Sequence, residues 1–122
     1  MATFSFKKRV CTLDFGQYKY DLPLNENELN RIIGIAEDRE KKVRAIPGND
    51  KAAWDEAYNL SLDGIDEILG EGAGEEIMSL CEHEPALTDV ADVITFISTE
   101  YKEAFTKEYG THAQPIRKGG RR

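Results

Sequence analysis

Two apolar stripes at helical spacing constrain this chain more than any other feature. Trp54, Tyr58, Leu62, Ile65 and Leu69 advance by steps of four, four, three and four, and Val90, Val93, Ile94, Ile97, Tyr101 and Phe105 repeat in a similar rhythm. An α-helix turns once every ~3.6 residues, so residues spaced in this way share one side of it. Each stripe has to be covered by another element. At least two long helices therefore pack through these faces.

Breakers and caps divide the rest of the chain. Asn25 followed by Glu28 has the form of a capping box, with each side chain satisfying an orphan backbone N–H. Leu29, Ile32, Ile33 and Ala36 then recur at helical spacing, and the helix is expected to continue through a charged stretch to Ile46, where Pro47-Gly48 ends it. Asn49 or Asp50 caps a second helix. Gly64 within it costs about 1 kcal/mol relative to Ala and implies a close approach or a bend. The run Gly70-Glu71-Gly72-Ala73-Gly74 stops that helix, a short third helix follows with Ile77, Leu80 and Cys81 inward, and Pro85 interrupts the chain. Thr88 or Asp89 opens the last helix, which ends at Gly110. The expected helices are 26–46, 50–69, 75–82 and 88–109.

The opening segment has a different period. Val10, Thr12 and Asp14 alternate with Cys11, Leu13 and Phe15, and Tyr18, Tyr20 and Leu22 alternate with polar partners across a Gly16-Gln17 turn. With Phe4 and Phe6, this predicts a hairpin or meander over 3–22. A lone hairpin is marginal in water, so its apolar face must lie on the helices or on another chain. The fold class expected is mainly α with a small N-terminal antiparallel β-hairpin or meander (α+β), with about four helices. Residues 1–110 form one domain, and 111–122 a flexible basic tail.

Composition excludes several classes of function. No apolar run approaches the ~18 residues of a membrane-spanning helix, and the N-terminus has no secretory apolar stretch, so neither a membrane nor export is expected. Two cysteines, Cys11 and Cys81, are too few for a disulfide framework and read as two reduced, buried thiols of a cytoplasmic protein. Residues 1–49 hold nine Lys or Arg against seven Asp or Glu, whereas residues 50–108 hold three against sixteen. An acidic block of that size repels a phosphate backbone, so the body of the chain is not expected to bind nucleic acid.

No catalytic, cofactor or metal site emerges. The glycine run around Gly72 follows a helix and carries Glu71, Glu75 and Glu76, which oppose a phosphate, so it reads as a helix–helix turn. Cys81-Glu82-His83-Glu84 offers ligands in a row, but zinc sites use ligand pairs with a second pair elsewhere, so an exposed acidic loop is expected. Carboxylate pairs such as Asp66-Glu67 and Asp89 with Asp92 are too common here to single out one for acid–base work. His83 has no nucleophile motif beside it. The chain is therefore expected to be a binding or assembly protein and not an enzyme. Phe4, Phe6, Phe15, Tyr18 and Tyr20 crowd one short segment; most suit a core, and the alternative is an exposed aromatic edge that adds to a partner's sheet.

Three segments resemble the tail assembly chaperones of long-tailed bacteriophages, especially those of Gram-positive hosts. They are Thr3-Phe4-Ser5-Phe6 with Leu13 to Leu22; the acidic helix end Ile65 to Gly74; and Leu87 to Ile97, running on into Glu100-Tyr101-Lys102. The likeness is one of pattern and order, and spans most of residues 3–108. It implies a non-enzymatic, oligomeric protein of the host bacterial cytoplasm that binds the tape-measure protein, helps recruit tail-tube subunits and is absent from the mature virion. Many such proteins are made in two lengths by a ribosomal frameshift. The basic segment Arg117–Arg122 has no counterpart in the resemblance. An escort for an apolar, helical client needs an apolar groove on a soluble body. The two helical stripes are expected to form that groove, unless they pack against each other. The partner-binding candidates are Phe4, Phe6, Tyr18 and Tyr20 from the sheet, with Trp54, Tyr58, Ile97 and Tyr101 from the stripes. An acidic mimic of nucleic acid that inhibits a host DNA-binding protein is the alternative, motivated by the acidic block.

Overall fold

A computed structural model describes residues 2–110; the expected basic tail, 111–122, lies outside the described residues. The N-terminal alternation yields two strands, β1 (Val10–Asp14) and β2 (Lys19–Pro23), paired antiparallel with Cys11 opposite Leu22 and Leu13 opposite Tyr20. Cys11, Leu13 and Leu22 point into the core, while Thr12 and Asp21 bond to each other on the outer face at 2.6 Å. Gly16 supplies the positive φ of the turn (91°). Pro23 cannot donate to the ladder, and the next amide, Leu24, continues the pairing by donating to the Arg9 carbonyl at 3.0 Å. Phe4 and Phe6 precede the sheet and belong to no strand, so the hairpin begins later than the expected residue 3.

Four helices follow: α1 (Glu26–Arg44), α2 (Lys51–Leu69), α3 (Ala73–Met78) and α4 (Leu87–Tyr109), giving a mainly α fold with an antiparallel hairpin. Asn25 Oδ1 accepts the Glu28 amide at 2.7 Å. The other half of the capping box is absent: the Asn25 amide donates instead to the Tyr101 hydroxyl (3.2 Å), and Glu28 pairs with Arg31 (2.6 Å). Helix α1 ends at Arg44, two residues short of Ile46. Asp50 caps α2 through the Ala53 amide at 3.0 Å. Ala86 precedes α4, and the Asp89 carboxylate accepts its amide at 2.8 Å.

Helix α2 turns a different face inward from the one its large residues suggest. Ala53, Ala57, Ser61, Gly64, Ile65 and Ile68 are buried, whereas Trp54 is exposed and Tyr58, Leu62 and Leu69 are half-buried at the flanks. Small side chains at 53, 57, 61 and 64 let neighbouring backbone approach, which large ones would prevent. Gly64 shows the consequence: a Cβ there would lie 2.8 Å from Arg39 Cγ, so the glycine permits close packing. Arg39 is buried over that glycine, held by Glu67 at 2.6 Å and Asp63 at 3.1 Å. The core is centred on Leu13, Ile32, Ile65, Val90, Ile97 and Tyr101, with the hairpin laid on α4.

Candidate protein-binding surface

The most exposed apolar groups lie on the segment before β1. Phe4 and Phe6 are 77% and 88% exposed and stack edge to face on each other, their ring centroids 4.7 Å apart. This arm is held at its base. Lys7 Nζ and Arg9 Nε both reach Glu108 near the end of α4, at 3.0 and 2.8 Å. Their two cations hold the Glu108 carboxyl below its usual range, Lys7 first and Arg9 second. The arm thus projects two aromatic rings from a fixed point.

The helical stripes do not form the expected groove. Helices α2 and α4 pack on each other through Ile65, Val90 and Ile97, which fills that space. Ile97 and Tyr101 are wholly buried and offer no surface to a partner. Tyr101 serves the interior instead: its hydroxyl donates to the Pro23 carbonyl and accepts the Asn25 amide, tying the hairpin's exit to α4. An open groove of about 500 Å³ lies elsewhere, between α1 and α4, with Ala36, Val43, Leu87, Ala91 and Ile94 along it and Arg39, Arg44, Glu37 and Glu40 among its lining.

The remaining aromatics are spread over the surface. Trp54, 47% exposed, lines a second cleft with Tyr58, Pro85 and Leu87. Tyr18 and Tyr20 are half-buried. The Tyr20 hydroxyl donates to Glu76 at 2.6 Å, and its pKa is pushed up to about 12 by burial first and by this carboxylate second. Phe96, which the stripe pattern passes over because it precedes Ile97 by one residue, is 38% exposed and stacks on Phe15 at 5.3 Å. Phe4, Phe6, Trp54 and Phe96 are thus the large apolar side chains exposed among the described residues. No described helix is long and apolar enough to cross a membrane. Comparison of the chain with family models, with characterised proteins and with solved structures finds no match.

Proposed function

We propose that this protein is a non-enzymatic assembly factor of the phage tail assembly chaperone kind. In this role it binds the tape-measure protein, helps recruit tail-tube subunits, and works as a homo-oligomer in the host bacterial cytoplasm without entering the mature virion. The exposed Phe4–Phe6 pair carries the proposal. Two solvated aromatic rings on an anchored arm stabilise nothing in the monomer and suit an apolar client. The α1–α4 groove, lined by Ala36, Val43, Leu87, Ala91 and Ile94 with charged side chains from α1, supports the same role, and the acidic run over 50–108 favours solubility of a client complex.

The test is co-expression with a tape-measure protein, followed by pull-down and sizing at low and high salt. A salt-resistant complex that keeps the client in solution is expected, and Phe4→Ala with Phe6→Ala should weaken it at least tenfold while leaving the melting temperature unchanged. An insoluble client and no complex would sink the proposal. The acidic block would then favour a nucleic-acid mimic, whose binding to a DNA-binding enzyme should weaken steeply with salt.

A further inference from the structure

The bend between α3 and α4 gathers three side chains of metal-ligating type. Cys81 leaves α3 through two tight turns, in which the Leu80 and Cys81 amides donate to Ile77 and Met78. Its Sγ lies 3.5 Å from each ring nitrogen of His83. His83 Nδ1 lies 3.9 Å from Asp89 Oδ2 in the first turn of α4. One ligand atom from each residue lies within 4.8 Å of the others.

From this geometry we infer that Cys81, His83 and Asp89 form a binding site for a divalent, zinc-like cation. Thiolate, imidazole and carboxylate together suit borderline-soft Zn²⁺, whereas Ca²⁺ and Mg²⁺ prefer all-oxygen sets. The thiolate and carboxylate cancel the charge of the ion. With Zn–S near ~2.3 Å and Zn–N near ~2.0 Å, tetrahedral coordination separates sulfur from nitrogen by about 3.5 Å, the spacing already present. The carboxylate has to close by about 1 Å, a side-chain movement. A supporting contact orients one of the ligands. The Ala86 amide holds Asp89 at 2.8 Å, and His83 Nδ1 lies 3.0 Å from the Glu84 carbonyl. Nδ1, the nitrogen near both Cys81 and Asp89, is the ligand atom, and the ring gives up its contact with the Glu84 carbonyl when it binds. Sulfur equidistant from both nitrogens lies against the face of the imidazole, so binding turns the ring; His83 is free to do so, its side chain being 66% exposed. Three protein ligands leave the fourth position to water. Binding would staple α3 to α4 across the bend. This site is independent of any client-binding role.

The test uses the full chain, prepared metal-free under reducing conditions and titrated with Co²⁺ and then Zn²⁺. One equivalent of Co²⁺ should bind with a thiolate-to-metal charge-transfer band in the near ultraviolet, and Zn²⁺ should displace it and raise the melting temperature. Cys81→Ser should abolish the band, His83→Ala should weaken binding at least tenfold, and Cys11→Ser should leave both unchanged. His83 is exposed, so His83→Ala should keep the helical circular dichroism of the parent and tests the site without disturbing the fold. Absence of a band, a band that survives Cys81→Ser, or equal affinity in His83→Ala would each overturn the assignment.

Discussion

At the scale of single residues, the two thiols differ by environment. Cys11 is buried beneath the hairpin, and that burial raises its pKa, with Glu100 and Asp21 adding to the effect. The thiolate is the reactive form, so a disulfide reagent should modify Cys81 in the native protein and reach Cys11 only on unfolding. Cys81→Ser should therefore remove the native reaction entirely. Tyr101 makes a second residue-scale case. Tyr101→Phe keeps the ring in the core but leaves the Pro23 carbonyl and the Asn25 amide without their partner. Urea unfolding should show a loss of about 1–3 kcal/mol. Gly64→Ala brings a methyl group within 2.8 Å of Arg39 Cγ, low on a side chain already held by Glu67 and Asp63. A destabilisation of about 1–3 kcal/mol is expected from the forced shift, read from the same unfolding curves.

Between elements, charge performs tasks that a one-element view assigns to solvent. Arg31 lies on α1, yet it donates to the carbonyls of Glu67 and Ile68 at 2.8 and 3.0 Å and so caps the end of α2. Glu108 on α4 anchors the arm before β1. Because the Glu108 carboxyl is held below its ordinary value, the anchoring is fully present above the usual glutamate range of ~4.3 and is lost as pH falls through the depressed value. Backbone mobility of residues 2–9, read by NMR relaxation, should be higher in Glu108→Gln at neutral pH and should match the parent at low pH. The Tyr20–Glu76 contact between β2 and α3 runs in the opposite direction. The Tyr20 pKa is raised, so its contribution is complete below the ordinary tyrosine value of ~10 and is lost as pH rises through about 12.

For the whole molecule, the interior and the outer surface answer to different parts of the sequence. Replacing both Phe4 and Phe6 removes apolar area that the fold leaves in water, so stability should hold while client binding falls. By itself the sequence determined the four helices, the hairpin and their order, because periodicity, caps and breakers act within a few residues. Asp50 caps α2, and Gly16 makes its turn through such local rules. Only the tertiary structure decided which side of α2 faces inward, since the choice between Trp54 and Ala53 depends on how closely α1 can approach. It also decided that Ile65 of α2 packs with α4 and that Ile97 and Tyr101 are buried, while an open groove lies between α1 and α4. The meeting of Asp89 with Cys81 and His83 was illegible for the same reason. Spacing along the chain records which residues share a face of one element. It does not record which faces of different elements meet, because the fit of side-chain volumes and charges across the interior sets that.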